Sequence, residues 1–205
     1  MRYQSVTIVT AIFLLLTFCS IVNSSGECEL QQKRVDALGK KLELQPANKT
    51  KTSLILEGIL TSMDGKRLGF ETTKHRVVHR QKRGVVIEKL YVMSGNDQSI
   101  LVVTLLQFTS AETAQTQLIQ DLATSSAQKD IMLSIYEKVP KGPGELCVIM
   151  TPVKEECGKS DLPLYYPVYF LLSNIAVSVD SFDKDIDPLE IARKIETIIL
   201  AKLKH

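Results

Sequence analysis

From Gly84 to Ser126 the apolar and polar positions fall into a strand, a turn, a second strand and a helix. Val85 to Met93 is rich in β-branched and aromatic residues, and Ser94-Gly95-Asn96-Asp97 gathers four turn formers. Ile100 to Phe108 is almost continuously apolar, as a strand covered on both faces would be. Thr109 and Glu112 then stand at the T-x-x-E spacing of a capping box, where each side chain satisfies an orphan backbone N–H. The helix is therefore predicted to start from a Thr109 cap.

The rest of the chain supplies further elements. Glu29 to Leu44 carries Val35, Leu38 and Leu42 at helical spacing; Gly39 weakens that helix and Pro46 stops it. Ser53 to Met63 fits strand or short helix, and Asp64-Gly65, a favoured hairpin pair, tips the reading to strand. Asp130 to Val139 alternates as a strand, Pro140 to Gly144 forces a turn, and Leu146 to Met150 is a short strand. Val168 to Val179 reads as strand with a tight turn at Ser173-Asn174. Asp187, Pro188 and Glu190 open a last helix with an acidic cap and a proline at its first position. Leu189, Ala192, Ile195 and Ile199 form its apolar face. The order β-β-α thus occurs twice. The expected class is α+β, an antiparallel sheet with helices packed on one face, built from two β-β-α units.

The first residues change the picture of compartment. Arg2 precedes an apolar run from Val6 to Val22, and Asn23-Ser24-Ser25-Gly26 follows with small residues that suit a signal peptidase. Residues 1–26 are expected to be a signal peptide, with the mature chain starting between Ser25 and Glu27. The alternative is membrane anchoring by an uncleaved segment, since a run of about 17 apolar residues sits at the short edge of a spanning length. A lipid-modified cysteine is disfavoured, because bulky Phe18 precedes Cys19 and charged Glu27 precedes Cys28. Residues 27–52 are expected to form an N-terminal helix and linker, and 53–205 a single α+β domain. The expected location is secreted, with no stable membrane insertion after signal removal.

In an oxidising compartment cysteines pair. Cys19 leaves with the signal, and Cys147 and Cys157 are close enough to bridge a hairpin-like segment, leaving Cys28 unpaired within the chain. Asn48-Lys49-Thr50 is a glycosylation sequon in a polar stretch. With 25 Lys and Arg against 23 Asp and Glu, the formal net charge is +2, which gives no global field for nucleic acid.

Candidate chemistry is sparse. Asp180, Asp183, Asp185, Asp187 and Glu190 resemble a calcium loop, but counting from Asp183 the required glycine and glutamate positions hold Pro188 and Lys194. Gly158-Lys159-Ser160 lacks the earlier glycine of a phosphate-binding loop, since Val153 stands there. His75 and His79 could share one face, yet Lys74, Arg76 and Arg80 lie around them in sequence and cations oppose a metal ion. No G-x-S-x-G or thiol-enzyme signature is present. No cofactor and no metal are implied. One stretch is strongly biased: Lys74 to Arg83, with Lys74, Arg76, Arg80, Lys82 and Arg83 as candidate polyanion-binding residues. Its plainer reading is a charged edge strand, where cations discourage strand-to-strand pairing. Arg80-Gln81-Lys82-Arg83 also has the R-x-K-R form cut by proprotein convertases, with Gly84 following. The expectation is a secreted, non-catalytic binding or interaction domain for an extracellular partner, a polyanion being the candidate. The alternative is a secreted hydrolase whose site is assembled from residues far apart in sequence.

Overall fold

A computed structural model describes residues 25–47, 58–71, 73–124, 136–150 and 167–203. In chain order the elements are α1 (Ser25–Lys41), α2 (Ser62–Arg67), β1 (Lys74–Lys82), β2 (Val85–Met93), β3 (Ser99–Gln107) and α3 (Ala111–Thr124), followed by β4 (Tyr136–Lys138), β5 (Leu146–Met150), β6 (Val168–Leu172), β7 (Ile175–Ser181) and α4 (Pro188–Leu203). The strands form a seven-stranded sheet in the order β1-β2-β3-β7-β6-β5-β4. Every neighbouring pair is antiparallel. The α+β class follows directly from these elements.

Local chemistry explains the connections. Arg83 (φ 50°) and Gly84 (φ 78°) make a two-residue hairpin with both residues left-handed, the twist that matches flanking strands. Asp97 (φ 58°) closes the next turn, its N–H donating to the Ser94 carbonyl at 3.0 Å. Asn174, buried in the β6–β7 turn, donates from its side chain to the Phe108 carbonyl at 2.7 Å, and its own carbonyl accepts the Phe108 N–H at 2.9 Å. That pair of bonds pins the two β-β-α regions together. At α4 the Asp187 carboxylate accepts the Leu189 N–H at 2.8 Å, the expected cap.

Two local expectations are corrected. Asp64-Gly65 is no hairpin turn: both residues lie inside α2. Asp64 sits three residues after Thr61 and accepts the Thr61 N–H at 2.7 Å and the Thr61 hydroxyl at 2.8 Å, so a capping role outcompeted the turn. Gly65 is required there for another reason, since a Cβ would come within 2.3 Å of the His75 ring. Of the strand expected over Ser53 to Met63, residues 58–61 are irregular, and 53–57 lie outside the described residues. The cap of α3 is Ser110, whose hydroxyl accepts the Thr113 N–H at 3.0 Å, rather than Thr109.

The helices also divide between the two faces of the sheet instead of sharing one. Alternate residues of each strand belong to separate cores. Leu90, Val103, Phe170 and Val177 pack against α4 and the α2 region. Leu106, Tyr169, Leu171 and Ala176 pack against α1 and α3. The two β-β-α regions meet at the antiparallel pair β3–β7. A rotation that exchanges two adjacent antiparallel strands runs perpendicular to the sheet and keeps each helix on its own face. With α3 and α4 on opposite faces, the two regions share an element order without being rotational copies.

Candidate binding surfaces

Strand β1 is an edge strand, and its register sorts its side chains cleanly. Arg80 pairs with Ile87 and Val78 with Lys89, so Lys74, Arg76, Arg80 and Lys82 point to the α1/α3 side. His75, Val77, His79 and Gln81 point to the α2 side. All four cations are exposed. Lys74 is ion-paired to Asp97 at 2.7 Å, whereas Arg76, Arg80 and Lys82 make no ion pair with the described residues. Arg83 sits at the hairpin tip. The five basic residues are therefore brought together, four in a comb along one face and one at its end.

The two histidines share a face, as their spacing allows, but the cations project from the other one. Each histidine has a structural partner. His79 Nδ1 lies 3.2 Å from a Glu88 carboxylate oxygen, and His75 Nε2 lies 2.9 Å from the Thr73 hydroxyl. Thr73 itself donates to the Phe70 carbonyl at 3.0 Å, so His75 is the donor to Thr73 and is no base for it. Glu88 is fully buried. It accepts the N–H groups of Gly58 (2.7 Å), Ile59 (3.2 Å) and Leu60 (2.7 Å), a cradle that satisfies an otherwise costly buried carboxylate. Lys202 at the end of α4 donates to the Ile59 carbonyl and to Asp64, the latter at 3.0 Å. Burial pushes the Asp64 carboxyl up, but the bonds from Lys202 and Thr61 outweigh it and hold the group below its ordinary value. This network clamps the segment before α2 onto β2.

The R-x-K-R stretch ends in the same hairpin. Arg80, Gln81 and Lys82 are paired to β2 up to Lys82 opposite Val85, so cleavage before Gly84 requires the hairpin to open.

Cys147 on β5 is a free, buried thiol beside the α4 core, and no disulfide joins any described residues. Cys157 and Asn48 lie outside the described residues, as do the side chain of Cys28 and residues 1–24. Burial pushes the Cys147 thiol up to about 12, with Arg193 pulling it down and Glu196 adding to the rise. Such a thiol is no nucleophile at neutral pH. The acidic stretch before α4 is occupied with its own backbone: Asp183 accepts the Asp185 N–H at 3.0 Å, and Asp187 caps the helix. Among the described residues no group of three or more His, Cys, Asp or Glu is placed to hold a metal ion, and no helix is long and apolar enough to cross a membrane.

A second polar region, absent from the sequence reading, lies in the sheet. Following the register from β2 to β6, Lys89 pairs with Thr104, Thr104 with Ser178, and Ser178 with Tyr169. These four side chains form a polar row across the α1/α3 face. The neighbouring row on that face, Ile87, Leu106, Ala176 and Leu171, is apolar and lies under the helices. Asp180 is two residues beyond Ser178 and accepts its hydroxyl at 3.1 Å. Asp121 comes down from α3 and accepts from Gln117 at 2.7 Å. Burial raises both carboxyls to about 6, opposed by Ser178 and Lys89 at Asp180 and by Gln117 at Asp121. The signal was a polar residue at one position of each apolar strand: Thr104 in ILVVTLLQ, Ser178 in IAVSVDS, Tyr169 in VYFLL.

No family model matches the chain, and no curated protein does. Among solved structures it is similar to the extracellular domain of PknH from Mycobacterium tuberculosis, at 15% identity and a TM-score of 0.45, with 78% of this chain and 98% of that one covered.

Proposed function

We propose that this is a secreted, non-catalytic binding domain that docks an extracellular polyanion along edge strand β1. The observation that carries the reading is the register of β1, which lines up Lys74, Arg76, Arg80 and Lys82 on one exposed face, with Arg83 at its end. Alternate residues of a strand stand about 7 Å apart, so the comb offers two pairs of cations, Lys74 with Arg76 and Arg80 with Lys82, separated by Val78, to a linear chain of sulfates or carboxylates. Arg76, Arg80 and Lys82 are uncommitted to carboxylates of the described residues, so a polyanion would not have to displace an internal partner. Secretion is supported by the Arg2 and Val6–Val22 pattern followed by small residues. The non-catalytic part is supported by the state of the usual reactive groups: Cys147 is buried and protonated, and both β1 histidines are engaged by structural partners.

Elution from heparin tests this. The triple variant Arg80→Ala/Lys82→Ala/Arg83→Ala, folded by circular dichroism, is expected to elute at clearly lower salt than wild type, because contacts of this kind weaken as ions screen them. Equal elution salt for the two proteins would eliminate the polyanion.

A further inference from the structure

Strand β1 closes one end of the sheet, and its hairpin fixes which backbone groups the outer edge presents. The two-residue turn Arg83-Gly84 closes on a hydrogen-bonded pair, Lys82 with Val85. Bonded and non-bonded pairs alternate along an antiparallel ladder, so Arg80, Val78, Arg76 and Lys74 also bond to β2. The backbone N–H and C=O groups of His75, Val77, His79 and Gln81 point the other way, out of the sheet. None of them has a partner among the described residues. The edge is a row of donors and acceptors of strand length, the feature to which an extended peptide adds.

The side chains of β1 decide which strand fits. A second copy of β1 would set Lys74, Arg76, Arg80 and Lys82 against cations, and a neutral strand would leave them unmatched. Like charges directly opposite each other destabilise a strand pair, and opposite charges support it. Arg76, Arg80 and Lys82 are exposed and make no ion pair with the described residues. We propose that β1 takes an extended acidic polypeptide as an eighth, antiparallel strand of the seven-stranded sheet. Resting on the reading of β1 as a polyanion site, this identifies the polyanion as a peptide, because a glycan has no backbone ladder to offer His75, Val77, His79 and Gln81. The register specifies the sequence pattern. On the comb side the peptide carries acidic residues opposite Lys82, Arg80 and Arg76 and an apolar residue opposite Val78. An acidic residue opposite Lys74 adds least, since Asp97 already holds that amine at 2.7 Å. On the other side, the residues opposite Gln81 and His79 stand over a groove of about 440 Å³ lined by Gly58, His79, Arg80, Gln81, Val86 and Glu88, which takes their side chains.

The probe is an end-blocked peptide as long as β1, Glu-Thr-Glu-Thr-Val-Thr-Glu-Thr-Glu, compared with its analogue N-methylated at every threonine. Both carry the same charge, but the analogue lacks the N–H groups that face β1. In calorimetric titration of the full chain at low salt, the peptide is expected to bind with a Kd of about 0.1 mM or tighter, and the analogue at least tenfold more weakly. Gln81→Pro removes an N–H that β2 does not use, so heparin elution should match wild type while peptide affinity falls about fivefold or more. Strand addition is overturned if the peptide does not bind, or if peptide and analogue bind equally. Equal binding, with heparin retention still dependent on Arg80, Lys82 and Arg83, would leave a site that reads charge alone, as a glycan site does. Heparin retention independent of those residues would instead remove the polyanion reading underneath.

Discussion

The two faces of the sheet are built to different rules. Under α4, cross-strand neighbours such as Leu90 with Val103 and Phe170 with Val177 are apolar, and Ile195 and Ile199 press onto that core from the helix. Under α1 and α3 only one row, Ile87 to Leu171, is apolar, and the next row is Lys89, Thr104, Ser178 and Tyr169. A small domain must bury one continuous apolar surface to offset chain entropy, and the α4 face does so. The other face buries a second apolar cluster against α1 and α3, and beside it carries polar groups that contribute little to stability or oppose it. The apolar core under α4 and the polar row lie on opposite sides of one sheet.

The sharpest way to break this comparison is Phe170→Ala. Phe170 is fully buried on the α4 side, and the variant should lose about 3–5 kcal/mol of unfolding free energy in urea titrations. A loss no greater than that of a polar-row substitution would refute the division of labour. A second variant on the same side, Glu88→Ala, strands the N–H groups of Gly58, Ile59 and Leu60 and is expected to cost about 2–3 kcal/mol by the same measurement.

The smallest effect, and the one of opposite sign, belongs to the polar face. Asp180 and Asp121 are raised to about 6 in the folded protein from an ordinary 3.8. Between these values the folded state holds protons that the unfolded chain releases, so their contribution to stability falls as pH rises from about 4 through about 6. Asp64 is shifted the other way and acts only below its ordinary 3.8, outside this window. Thermal melts should therefore show a lower melting temperature at pH 7 than at pH 5. Asp180→Asn should flatten that slope and leave the protein at least as stable at pH 7. A slope unchanged by the substitution would show that Asp180 is not the group responsible.

How much of this was legible depended on whether a signal was local. The strands around Val85 to Met93, Ile100 to Phe108, Leu146 to Met150 and Val168 to Val179, the turns at Ser94–Asp97 and Ser173-Asn174, and the Asp187 cap follow from neighbours in sequence, and the structure has them where they were expected; of the strand expected over Asp130 to Val139 it has Tyr136–Lys138, residues 130–135 lying outside the described residues. Asp64-Gly65 misled because the same pair that suits a hairpin also suits the third and fourth positions of a helix, and Thr61 selected the helix. Choosing a face for each helix needs the register of β3 against β7, which couples residues far apart in sequence. The basic stretch was visible as composition, but its separation into a cation face and a histidine face appears only once β1 is paired. The polar row could not be assembled from one strand, since each contributes a single polar residue to it.

The central position of the β3–β7 pair also governs how the chain reaches this state. Strands β1, β2 and β3 form a meander of local contacts that can assemble early. The inner edge of β3 then waits for a strand that follows α3, β4, β5 and β6. Pairings of such high contact order slow the rate-limiting step. Until β7 arrives, β3 exposes a row of unpaired backbone groups bearing Leu101, Val103, Leu105 and Leu106, a template for another chain's strand. A nascent chain or fragment that stops before Ile175 carries that open edge, so the second half of the molecule acts as the cover over the first half's exposed strand.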